Sequence, residues 1–115
     1  VHRRYYNQII EDSPHVTRSR EREVIERAIQ KLEIAKSCGA KSVEAFEAIS
    51  FLRQLWAVFI EDLSKEDNAL PVPLRASLIS IGLWIRRESD LIEAGQSENF
   101  DALIDINKLI SDGLI

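Results

Sequence analysis

Apolar residues return at three- and four-residue steps through most of the chain, the period of helices that turn one face inward. In the first such stretch Val24, Ile25, Ala28, Ile29, Leu32 and Ala35 mark a stripe, while Arg18, Arg20, Glu21, Arg22, Glu23, Glu26 and Arg27 fill most of the rest. Opposite charges at helical spacing support one another there, so the stripe predicts an outer helix with a single buried face. Ser13-Pro14 is its start, because a serine hydroxyl can cap free N–H groups and proline suits the first helical position. Gly39 supplies the stop, which predicts a helix over about 14–38.

Ser42 offers the next cap, and Ala45, Ile49, Leu52, Trp56, Phe59, Ile60 and Leu63 predict a second helix over about 43–63. Phe51, Leu55 and Val58 widen its apolar arc, so this helix should touch two neighbours. Residues 64–73 are polar at first and then carry Pro71 and Pro73, which forbid a continuous helix. Pro73 starts a third helix, running to about Ala94 with Gly95 as its stop. Ser97 or Asn99 caps a short fourth, over about 99–112, with Phe100, Leu103, Ile104, Asn107 and Ile110 on one face. Strand-like alternation and internal repeats are missing, and Tyr5 to Ile10 reads as an extra turn or a strap within residues 1–12.

The third helix departs from simple amphipathic patterning. Leu74, Leu78, Ile81, Ile85 and Ile92 form one stripe, Ile79 and Leu83 lie nearly opposite, and Trp84 and Leu91 lie to the side. Two arrangements satisfy such a helix: a central position with neighbours on both sides, or a face that a partner covers. In the second case the surface is the row Ala76, Ile79 and Leu83, at the spacing with which one helix meets another, joined by Arg86 and Arg87 beside Trp84. The expected architecture is all-α: one domain over 1–115, a small bundle of about four helices with the apolar third helix at its centre.

Length agrees with one domain, since 115 residues suffice for one continuous core. Fifteen Lys and Arg against nineteen Asp and Glu give a net charge of −4, which opposes the phosphate attraction behind nucleic-acid affinity. Direct RNA or DNA binding is therefore not expected. Candidate chemistry is sparse. The histidines are His2 and His15, the first near the terminus and the second in the first turn of a helix. Cys38 is the single cysteine; a helix C-terminus disfavours its thiolate, so it reads as a small half-buried residue in a reducing compartment. The glycines are isolated, and Glu61-Asp62 and Glu66-Asp67 read as solvated acids. The chain is thus expected to be a non-enzymatic binding protein with no cofactor, no metal and no membrane span, resident in the cytoplasm.

Beyond patterning, Phe51-Leu-Arg-Gln-Leu-Trp56, Phe59-Ile-Glu-Asp-Leu63, Asn68-Ala-Leu-Pro71 and Leu74-Arg-Ala-Ser-Leu-Ile-Ser-Ile-Gly-Leu-Trp-Ile85 resemble the FlaF family of alphaproteobacterial flagellar biosynthesis proteins. Gly95-Gln-Ser-Glu-Asn-Phe100 and Ile110-Ser-Asp-Gly-Leu114 extend the resemblance over nearly the whole chain. It implies an accessory factor for flagellin, the filament subunit, associated with flagellin synthesis and export. FlbT, a regulator acting oppositely on flagellin messenger RNA, is the further partner it implies. Two expectations follow: an export-chaperone-like protein that covers flagellin along the third helix, or a regulator acting within an RNA-bound complex with FlbT. The resemblance brings no motif-defined functional residues, so the candidate surface rests on helix faces alone.

Overall fold

A computed structural model describes residues 14–113, with side chains from residue 20 onward, so the Ser13 cap and the strap read into residues 1–12 lie outside it. Among the described residues four helices follow one another: α1 (Pro14–Cys38), α2 (Val43–Leu63), α3 (Val72–Glu93) and α4 (Phe100–Asp112). The expected all-helical single domain is what is observed, with boundaries within one residue of those read from the pattern.

The connections form for local reasons. Gly39 ends α1 at a positive φ of 96°, where a Cβ would be strained, and its N–H donates to the Ala35 carbonyl at 2.8 Å. Three residues on, the Ser42 hydroxyl oxygen accepts from the Ala45 N–H at 3.0 Å and opens α2. Gly95 stops α3, and Asn99 caps α4 by accepting from the Ala102 N–H. Between α2 and α3, Asn68 holds the loop by donating to the Asp62 carbonyl and accepting from the Leu70 N–H. Arg75 reaches back from α3 to donate to the Lys65 carbonyl at 2.9 Å and the Leu63 carbonyl at 3.5 Å. A guanidinium there reaches the Leu63 carbonyl at the end of α2 and meets the negative end of that helix's dipole. Arg75→Met should therefore lower stability by about 1 kcal/mol, read as a lower urea midpoint with an unchanged slope.

Packing assigns the inner position to α1 and α2. Helix α1 packs on α2 and α4, whereas α3 packs principally on α2. Ile25, Ala28, Leu32 and Ala35 of α1 meet Ala45, Ala48, Leu52 and Trp56 of α2 and Phe100, Leu103 and Ile104 of α4 in one core. One buried polar contact runs through it. The Trp56 indole N–H donates to the Asn107 side-chain oxygen at 3.0 Å, and the Asn107 amide donates to the Leu103 carbonyl at 2.7 Å. Trp56 also meets Phe59 edge-on, with ring centroids 5.4 Å apart.

The central position expected for α3 and the outer position expected for α1 are thus both corrected: α1 and α2 each have two neighbours, and α3 lies at the edge. Gly82, Ile85, Ser89 and Ile92 form its buried face, Leu78 and Ile81 are half-buried, and Leu74 is exposed. Contact with α2 is close because Gly82 has no Cβ; one placed there would stand 2.8 Å from Ile60 Cδ1 and 2.9 Å from Trp56 Cε3.

Surface ion pairs tie the edges. Arg53 of α2 bridges Asp90 at 2.6 Å and also meets Glu93, while Lys36 of α1 meets Asp101 of α4 at 2.6 Å. The hydrogen bond to Asp101, and then that carboxylate's charge, hold the Lys36 ammonium above its ordinary 10.5. Such a pair supports the folded state at neutral pH, and the part that rests on the Lys36 charge is lost as pH climbs through that raised value.

Candidate functional site

The row singled out on the third helix lies on the flank of α3 beside its contact with α2. Ala76 and Leu83 are exposed, Leu83 to 50%, and Ile79 is half-buried. Arg86 and Arg87 are exposed one turn further on. The buried face of α3 is made by other residues, so Leu83 is not needed to hold the helix on α2. Three of the five, Ala76, Ile79 and Leu83, share one row by helical spacing, and Arg86 and Arg87, three and four residues beyond Leu83, flank its continuation on either side. Trp84 is half-buried and packs against the core, so it belongs to the bundle more than to the arginines beside it.

The α3 flank adjoins a stripe of α2. Ile60 packs against α3 at Gly82, and Arg53 reaches Asp90 and Glu93, which places the polar stretch of this seam about two to three turns beyond Leu83. An amphipathic helix laid along the flank would find apolar contact at Ile79 and Leu83, and charge at Arg86 and Asp90.

Other candidates lead elsewhere. Cys38 is exposed, correcting the half-buried position expected of it: it is the last residue of α1 and points away from the stripe ending at Ala35. His15 falls within α1, before the residues whose side chains are described. Glu61, Asp62, Glu66 and Asp67 are exposed, and among the described residues no group of three or more His, Cys, Asp or Glu is placed to hold a metal ion. Among the described residues no helix is long and apolar enough to cross a membrane. Arg22, on the charged side of α1, donates to Glu26 at 3.0 Å, as the helical spacing of opposite charges there predicts.

Two features escaped helix patterning. Gly82 sets how near α3 approaches α2; a glycine inside a helix, costing about 1 kcal/mol against alanine, was the signal of a packing reason. Phe46 falls off the Ala45, Ile49 and Leu52 stripe and is 65% exposed, the most exposed aromatic side chain among the described residues. It lines a recess of about 330 Å³ between the first turn of α2 and the last turn of α3.

Comparison with known proteins agrees with the resemblance carried by the second and third helices. No curated protein and no solved structure matches the chain. A family model described as flagellar protein FlaF matches residues 2–114, and over essentially its whole length the chain belongs to the FlaF family.

Proposed function

We propose that this flagellar protein binds flagellin in the cytoplasm, through the exposed flank of α3, and promotes flagellin synthesis and export as a non-enzymatic, chaperone-like factor. The observation that carries this reading is Leu83, half exposed in a row with Ala76 and Ile79 on a helix already anchored by Gly82, Ile85, Ser89 and Ile92. Terminal flagellin segments, amphipathic before assembly as the family resemblance implies, need a cover for their apolar stripe. A helix flank with an apolar row and flanking charge is such a cover.

Titration of purified flagellin against the wild type and Leu83→Asp tests the reading. Burying a leucine is worth about 1.5–3 kcal/mol and burying a new carboxylate opposes binding further, so affinity should fall at least about tenfold. Stability should change by no more than about 0.5 kcal/mol, because Leu83 lies outside the core. Undiminished flagellin affinity in the folded variant would remove the α3 flank. The alternative, a regulator acting within an RNA-bound complex with FlbT, predicts instead an association that weakens steeply as salt rises.

A further inference from the structure

We infer that the first turns of α2, with the recess beside Phe46, form a second docking surface, whose partner is a protein segment with an apolar anchor flanked by lysine or arginine. The surface stands apart from the α3 flank proposed for flagellin and does not depend on that proposal.

Its apolar part is out of proportion to its place. Val43 is 68% exposed and Phe46 65%, one helical turn apart at the start of a helix whose inward face is already filled by Ala45, Ala48 and Ile49. The Ser42 cap and the Phe46 N–H bond to the Ser42 carbonyl hold this turn helical, so the aromatic ring is presented from a formed backbone. Beneath the ring the recess has an apolar floor of Ala45, Ile49 and Ile92, with room for an aliphatic or aromatic side chain. An exposed aromatic at the rim of a small apolar recess is the arrangement in which interface anchors concentrate their energy.

Charge selects the occupant. The acidic residues of α2 are Glu44, Glu47, Glu61 and Asp62, all exposed, and none of them forms an ion pair among the described residues. Its single basic residue, Arg53, is taken up by Asp90 and Glu93 of α3. Val43 and Phe46 therefore alternate with two carboxylates that have no ion-pair partner among the described residues, Glu44 and Glu47, with Lys41 at the rim of the recess. Such a surface repels anionic lipid and nucleic acid and attracts a cationic amphipathic segment. A second copy of this chain, with its net charge of −4, meets the same repulsion.

The test uses a labelled model helix of about four turns, with leucine on one face and lysine on the other, and a matched peptide carrying glutamate in place of lysine. Fluorescence anisotropy should show binding of the lysine peptide and none of the glutamate peptide. Phe46→Glu should weaken the lysine peptide at least about tenfold and Glu47→Lys several-fold, while Leu83→Asp and the remote Glu23→Lys leave it within about twofold. Amide shifts should move at Ala45 to Ile49 and at Ile92 to Gly95. Phe46→Ala serves as a second anchor variant, and a retained cooperative thermal transition certifies each protein as folded. Equal binding of both peptides, equal weakening by Glu23→Lys and Glu47→Lys, or a Phe46→Glu protein that binds like wild type would each overturn the inference. Dimerisation of the wild type abolished by Phe46→Glu in sedimentation would also overturn it, by making a second copy the occupant.

Discussion

Trp56→Ala is expected to cost this protein about 3–5 kcal/mol, the range for truncating a buried aromatic, and to lower its thermal midpoint by about 10–20 °C. Trp56 is 3% exposed and stands where three helices meet: its ring lies on α2, its N–H reaches Asn107 on α4, and its edge faces Gly82 on α3. Removing it opens a cavity and leaves the Asn107 oxygen buried without its donor, which adds about 1–3 kcal/mol where water cannot enter. A domain of this size has a total stability of only about 5–15 kcal/mol, so a large unfolded fraction near body temperature is expected. Trp56→Phe separates the two contributions, since it keeps most of the ring and loses the hydrogen bond. Adding Asn107→Leu to Trp56→Phe should recover at least about 0.5 kcal/mol relative to the sum of the single changes, because two apolar groups then replace a broken pair. Urea melts of the four proteins measure this coupling; a loss below 1 kcal/mol for Trp56→Ala would contradict the core described here.

Gly82→Leu is expected to be nearly as damaging and in a different way. A Cβ at this position would already stand within 3 Å of Ile60 and Trp56, on α2, so a leucine side chain can be seated only if α3 moves away. Overpacking costs typically about 1–3 kcal/mol, and the roughly 1 kcal/mol that leucine gains over glycine in helix propensity offsets only part of it. Because the whole seam is displaced, the loss should lie at the upper end of that range. Gly82→Ala, with a single added carbon, should show a smaller net loss of about 0–2 kcal/mol. The pair is read by calorimetry, with the Arg53 to Asp90 bridge as a local reporter: in Gly82→Leu, further removal of Asp90 should cost nothing measurable. A Gly82→Leu protein as stable as wild type would mean that α3 does not pack on α2 through this glycine.

Local chemistry made the helices legible. Proline at Pro14 and Pro73, serine at Ser42 and glycine at Gly39 and Gly95 act through their own backbone and hydroxyl groups, so boundaries read from them lie within a residue of those observed. Most of the residues that α1, α2 and α4 bury were legible in their stripes, with Val24 of α1 and Val58 of α2 exposed at the margins. Helix α3 was harder. An apolar arc reports how much surface wants cover and says nothing of what supplies it, so the extra width of α3 was assigned to a second neighbour that the fold gives instead to α1, read as an outer helix.

The amino-acid sequence by itself determined the kind and limits of the helices among the described residues, most of the apolar faces and, through long strings such as Leu74 to Ile85, the family to which the chain belongs. Only the tertiary structure decided which helices lie inside, because helix order in space depends on distant side chains meeting: Trp56 with Asn107, Arg53 with Asp90, Gly82 with Ile60. That arrangement left Leu83 and Phe46 uncovered while burying residues of the same apolar character a turn away. Periodicity ranks a residue by its face, whereas exposure is set by the neighbour opposite that face, which the chain acquires only on folding.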